Sequence, residues 1–179
     1  MSRVASGLRI LTIGHSTHPI DEFVATLKAH DVKQLVDVRT IPKSRKNPQF
    51  NSDALDAELA RHKIAYVHMP GLGGLRHPKK DSINSAWKNA SFRGYADYMQ
   101  TPQFEEALRQ LIRISEARQT VIMCAESVPW RCHRSLVADA LTARGIEVEH
   151  IMSATKRNPH SVTPFAKVDG ERVTYPGLI

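Results

Sequence analysis

The sequence predicts an α/β protein, a three-layer sandwich in which a mostly parallel, Rossmann-like sheet carries helices on both faces. Two observations predict it. Short apolar, β-branched runs recur along the chain, and they are separated by single segments whose apolar residues keep the roughly 3.6-residue helical period. Strands that alternate with helices pair in parallel, because parallel neighbours need a crossover, and right-handed crossovers place helices on both faces of the sheet.

Residues 8–13 form the first apolar run and end at Gly14. Ser16 and Thr17 are cap candidates ahead of Pro19, and Ile20, Phe23, Val24 and Leu27 then share one helical face. Residues 34–38 predict a second strand, followed by a polar, basic loop over 39–50. Ser52 is the cap predicted for a helix to Arg61 that turns Leu55 and Leu59 inward. Residues 64–67 predict strand three. Gly71, Gly73, Gly74 and Pro78 make 70–81 a loop, and a helical stretch is predicted over 83–89.

Thr101 and Pro102 are a cap and first-turn pair for a long helix carrying Phe104, Ala107, Leu108, Leu111 and Ile112 in period. Residues 120–124 read as a strand buried on both faces. A helix over 132–144 presents Leu136, Val137, Ala140 and Leu141 inward and stops at Gly145. Residues 146–151 alternate like an edge strand. The polar tail from about residue 153 contains Asp169-Gly170, a hairpin signal between 165–168 and 171–175.

The 179 residues suit one domain over 1–179, and 41% hydrophobic with 24% charged residues provides for a core and argues against disorder. No internal repeat, low-complexity tract or run of about 18 apolar residues is present, so no membrane crossing is expected. The first eleven residues lack the long apolar stretch and cleavage site of a signal peptide, and a cytoplasmic location is expected. Two cysteines eight positions apart are too few for a disulfide framework and fit a reducing compartment. The formal net charge of +7 suits an anionic partner, a nucleic acid, a nucleotide or a phosphorylated metabolite. Solubility alone also accounts for such a charge. Nothing in the composition indicates an oligomeric state.

Ligands of such sheets bind outside the carboxyl ends of the strands, which directs attention to four loops. They hold Gly14, His15 and Ser16; Asp37 and Arg39; His68; and Cys124 and Glu126, running on to Arg131, Cys132, His133 and Arg134. Polar residues gather in loops without any function, and this accounts for His68 and for His15 alone. It accounts less well for Cys124 and Glu126, which close an apolar strand. Arg131, Cys132, His133 and Arg134 open a helix that has no Ser, Thr, Asp or Asn at 130–132 to cap it. A thiol there has its pKa lowered by the helix dipole and the guanidinium groups, so Cys132, and Cys124 if it faces the same crevice, are candidate thiolates. The bland account makes both cysteines small buried hydrophobes and the arginines solvated or ion-paired.

Three readings of this segment stay open. A strand-end Cys with an Arg on the next helix resembles the oxyanion cradle of cysteine phosphatases and sulfurtransferases, although Arg131 lies seven residues after Cys124 and the loop between lacks glycines. A zinc site wants closer ligand pairs than Cys124, Cys132 and His133 offer, and no metal is assigned. Glu126 and Asp37 can instead act as acid and base while Arg39 and Arg134 hold a phosphate. The loop over 39–51 adds Lys43, Ser44, Arg45 and Lys46 between two prolines, a rigid basic segment able to grip a phosphodiester or simply face water. The glycines at 71, 73 and 74 do not form a dinucleotide fingerprint, and no cofactor is assigned. Tyr95 and Tyr98 read as core or pocket wall.

The motifs TIGHST at 12–17, VDVR at 36–39, PKSR at 42–45, PQFN at 48–51, LGG at 72–74, GYADYM at 94–99, CAE at 124–126 and CHR at 132–134 resemble those of the DUF488 family. The resemblance runs from Thr12 to about Met152. It implies an α/β fold and one pocket shared by the polar members of these motifs, and it brings no established activity.

Two classes of function fit. In the first, an enzyme acts on a phosphate-bearing substrate, with Cys124, Glu126, Asp37, Cys132 and His15 as catalytic candidates and Ser16, Arg39, Ser44, Arg45, Arg131, His133 and Arg134 as binding candidates. In the second, a binding module holds nucleic acid or a protein partner with the same basic loops and no chemistry. Redox sensing by the two thiols requires their Cα atoms to lie about 4.4–6.8 Å apart.

Overall fold

The computed structural model describes residues 7–177. The reading of the first eleven residues therefore falls partly outside the described residues. Six strands form the main sheet: β1 (Arg9–Gly14), β2 (Gln34–Asp37), β3 (Ala65–His68), β4 (Thr120–Cys124), β5 (Glu147–Ser153) and β6 (Lys156–Pro159). Their order is β3-β2-β4-β1-β5-β6, with the first five in chain order parallel and β6 antiparallel to β5.

The period-two alternation of the strands divides the core. Leu11, Ile13, Leu35, Val121 and Met123 face α1 (Ile20–Ala29) and α2 (Ser52–Arg61) and meet Phe23, Leu27, Leu55 and Leu59. Ile10, Val36, Val38, Ile122 and Cys124 face the opposite layer of α3 (Ala90–Tyr98), α4 (Pro102–Ser115) and α5 (Arg134–Ala143). Each fully buried Leu, Ile or Phe contributes about 1.5–3 kcal/mol by leaving water. The result is the three-layer, mostly parallel α/β sandwich. Among the described residues no helix is long and apolar enough to cross a membrane.

Several local expectations need correction. Neither Ser16 nor Thr17 caps α1, which starts behind Pro19 without a side-chain cap, and Asn51 rather than Ser52 occupies the cap position of α2. Residues 83–89 form turns, because Asn84 is fully buried as a tertiary post whose side chain bonds Asp97, Gln100 and the Tyr175 N–H. The helix begins after Asn89, whose side chain accepts from the N–H groups of Ser91 and Phe92. β5 is not an edge strand, since the tail supplies β6 to cover it. α5 starts at Arg134, and Cys132 stays extended at φ −131° and ψ 147°. The other signals hold: Thr101 caps α4 by accepting from Phe104 N–H, Gly145 ends α5 at φ +82°, and Gly170 at φ +62° turns β7 (Lys167–Asp169) into β8 (Arg172–Thr174).

Candidate functional site

β4 lies between β1 and β2, and the three leave the sheet in different directions. The chain runs from β1 and β2 to helices of one layer and from β4 to α5 in the other, which opens a crevice at their carboxyl ends. Gly14 permits this meeting: its Cα lies so close to the Glu126 carbonyl that a Cβ would overlap it. His15 and Ser16 then donate their N–H groups to the carbonyls of Cys124 and Ala125, each at 2.9 Å.

Both cysteines are buried, and their sulfurs lie 2.6 Å apart. Because Cys132 is extended, its side chain turns back towards β4. Its sulfur lies 3.5 Å from the Arg134 N–H and 3.5 Å from Nδ1 of His133. The anion seat at the start of α5 is thus taken by the chain's own sulfur. His133 Nε2 donates to the Val38 carbonyl at 3.1 Å. A carbonyl only accepts, so Nε2 carries a proton and Nδ1 is left to exchange one with Cys132. The ring leans on Tyr95 at 4.9 Å, and Gly74 crosses it so closely that a Cβ there would come within 2.6 Å of Nδ1.

These contacts separate the two thiols. The hydrogen bond with Cys124 pulls the Cys132 pKa well below its ordinary value, helped by His133 and the Arg134 N–H against the cost of burial. Burial pushes Cys124 well up, and its bond with Cys132 adds to that. Of the two, Cys132 is the sulfur more readily deprotonated and Cys124 the one that holds its proton.

Arg134 does not reach the crevice. It is fully buried and donates from Nη1 to Thr12 Oγ1 at 2.9 Å and from Nη2 to the carbonyls of Glu126 at 3.1 Å and Ser127 at 2.8 Å, tying down the β4 loop. The network continues through Thr12 Oγ1 to His150 Nδ1 at 2.6 Å, His150 Nε2 to His160 Nδ1 at 2.9 Å, and His160 Nε2 to Asp139 at 2.7 Å. Burial, reinforced by His160 and Arg134, pulls the His150 pKa down to about 3. With Thr12 donating to His150, every link runs in one direction, from Arg134 to the Asp139 carboxylate. Sequence reasoning missed this relay, because its members come from β1, α5, β5 and the tail and share no spacing.

Asp37 is fully buried as well. It accepts from Arg39 Nε at 2.9 Å and Nη2 at 2.6 Å and from Tyr66 Oη at 2.6 Å, while Arg39 Nη2 also donates to the Phe50 carbonyl at 2.7 Å. Its lone pairs are committed to holding the basic loop against the sheet. His15 stacks on Phe50 at 4.3 Å and bonds the Ser16 carbonyl, and burial lowers its pKa. Ser16 turns the chain at φ +48°. Ser44 Oγ accepts from the Asn47 N–H, and Arg45 is exposed.

What remains is a hollow of about 390 Å³ in which Cys124, Cys132 and His133 meet Glu126, Arg39 and Arg131. Lys43, Gly74 and Phe92 are among its other wall residues. Asp37, His15, Ser16, Ser44, Arg45 and Arg134 stand outside it. Among the described residues, no group of three or more His, Cys, Asp or Glu side chains gathers to hold a metal ion. Chemically the hollow offers a readily deprotonated thiol, a neighbouring imidazole and exposed cations.

A family model described as "Domain of unknown function DUF488" matches residues 19–141. No curated protein and no solved structure matches the chain. The matched stretch includes the Asp37–Arg39 clamp, the glycine loop over 71–74, both cysteines and His133, and it covers well over half of the chain. The chain belongs to the DUF488 family.

Proposed function

We propose that the protein is a cysteine-dependent enzyme acting on a phosphate-bearing substrate in the hollow at the carboxyl ends of β1, β2 and β4. One observation carries the reading: Cys132 Sγ stands 2.6 Å from the Cys124 sulfur and 3.5 Å from His133 Nδ1, in a hollow that also holds Lys43 and Arg131. The cations hold the phosphoryl oxygens. The thiolate attacks phosphorus, the P–S bond forms as the bond to the leaving oxygen breaks, and that oxygen takes the proton from His133 Nδ1. Water then attacks phosphorus and passes its proton to the Glu126 carboxylate, the P–S bond breaks, and the thiolate returns with free phosphate. The site is reset when Glu126 passes the proton through water to His133.

The test is hydrolysis of p-nitrophenyl phosphate by the wild type, Cys132→Ser and Cys124→Ser, with acid-quench trapping of the phosphoenzyme. The wild type turns over and carries phosphate on Cys132, whereas Cys132→Ser loses at least about a thousandfold in kcat. Full activity in Cys132→Ser refutes the reading. Steeply salt-dependent binding of single-stranded DNA without any turnover would point to the binding module instead.

The 2.6 Å sulfur separation also favours a second reading, dithiol redox chemistry. Hydrogen peroxide transfers an oxygen to the Cys132 thiolate with release of water. The Cys124 sulfur then attacks the sulfenic acid, the S–S bond forms, and the oxygen leaves as a second water. Titration finds two free thiols in reductant and none after peroxide; two in both conditions eliminates this reading.

A further inference from the structure

A second cavity, of about 460 Å³, lies behind the ridge formed by residues 129–133. Pro129 and Trp130 face this cavity, while Arg131, Cys132 and His133 face the hollow. The two spaces share another wall, where Trp87 of the cavity touches Phe92 of the hollow with ring centroids 5.0 Å apart. Trp87 is held in place by Phe165 at 4.8 Å and Tyr175 at 5.5 Å. Trp130 is 69% exposed, and among the described residues it has no aromatic partner. Its aromatic face, exposed at the cavity, is open for a flat ring to stack on.

The polar side chains of the cavity divide into two sets. His150, His160 and Thr163 are committed to the relay that ends on Asp139. Asn158 and Ser161 make no side-chain hydrogen bond among the described residues, so an amide with both donors and an acceptor and a hydroxyl remain to meet a ligand. The cavity therefore offers aromatic faces and neutral hydrogen-bonding groups, immediately beside a cationic hollow.

We propose that this cavity is the seat of an aromatic base, so that the substrate of the hollow is a nucleoside phosphate with its phosphate on Arg131 and Lys43 and its base stacked on Trp130. This rests on the reading of the hollow as a phosphate site. It adds the part of the substrate that gives specificity: a flat, uncharged ring suits stacking on tryptophan, and Asn158 matches the donor and acceptor edge of a base. A free nucleotide and a nucleotide within a single strand share this chemistry.

The only two tryptophans of the chain, Trp87 and Trp130, both line the cavity, so intrinsic fluorescence reports on it directly. Titration with adenosine 5′-monophosphate quenches tryptophan emission saturably, and ribose 5-phosphate competes at least about fivefold more weakly, the equivalent of about 1 kcal/mol of base stacking. Trp130→Ala removes that preference, and Trp130→Phe restores most of it. The exposure of Trp130 makes the alanine variant fold normally, which an unchanged melting temperature verifies. A five-nucleotide single strand of DNA distinguishes the two sources: affinity above that of the mononucleotide, falling with salt, assigns the base to a strand, and affinity at or below it assigns the free nucleotide.

Equal affinity for the nucleotide and ribose 5-phosphate, or a preference that survives Trp130→Ala, overturns the inference. Binding is read in the Cys132→Ser background, where the reaction proposed above consumes no nucleotide. An inert Cys132 would therefore sink the reaction and leave the base site standing, whereas loss of base preference would sink the base site and leave the reaction standing.

Discussion

Lowering the pH from about 7.5 to about 5.5 destabilises this protein through His150. The ring is buried between Thr12 and His160, with Arg134 and Asp139 as the charged groups beyond them. Its folded-state pKa of about 3 stands against the ordinary 6.5 of an unfolded chain. The folded state holds the neutral ring, so the stability is fully present above pH 6.5 and is lost as the pH falls from 6.5 towards 3. At about pH 5.5 the unfolded chain gains roughly a tenfold advantage from protonation at this site, about 1.4 kcal/mol. Urea unfolding of the wild type and His150→Gln at both pH values measures it. The glutamine amide still accepts from Thr12 and donates to His160 but does not titrate, so its loss of stability is smaller by about 1.4 kcal/mol. His15, also lowered by burial, contributes with the same sign and cancels in the comparison. Identical losses in the two proteins, or an NMR titration placing His150 protonation near its ordinary value, would refute the reasoning.

Two further substitutions probe the site. Gly74→Ala pushes a methyl group to within 2.6 Å of His133 Nδ1 and displaces the ring from Cys132; the rate of iodoacetamide alkylation at pH 7 drops about tenfold, and an unaltered rate would show that the ring does not support the thiolate. Arg134→Leu leaves Thr12 Oγ1 and the carbonyls of Glu126 and Ser127 without their donor. At about 1 kcal/mol for each hydrogen bond lost, a loss of about 3 kcal/mol and a melting temperature lower by about 6–12 °C are expected, and a drop under about 2 °C would contradict the anchoring role.

The layers of this protein are legible from composition and spacing alone. The runs that became β1, β2, β3 and β4 alternate with amphipathic segments, and a local period is enough to say which side of an element is wet, because burial of apolar area depends on composition and spacing alone. Thr101, Gly145 and Gly170 were legible for the same reason, since a cap or a left-handed turn is set by the few residues around it. The resemblance of the motifs to the DUF488 family was legible too, and the match over 19–141 agrees with it. Which polar residues reach the hollow depends on long-range packing. Asp37, Arg134 and Cys132 look alike in the sequence, as polar groups near a strand end. Asp37 turns inward because Tyr66 and Arg39 satisfy it, and Arg134 because Thr12, 122 positions away, accepts from it. Cys132 faces Cys124 because its backbone stays extended for one residue before α5. A buried charge goes where distant partners meet it, and those partners are brought together only when the sheet orders its strands as β2, β4, β1 and β5.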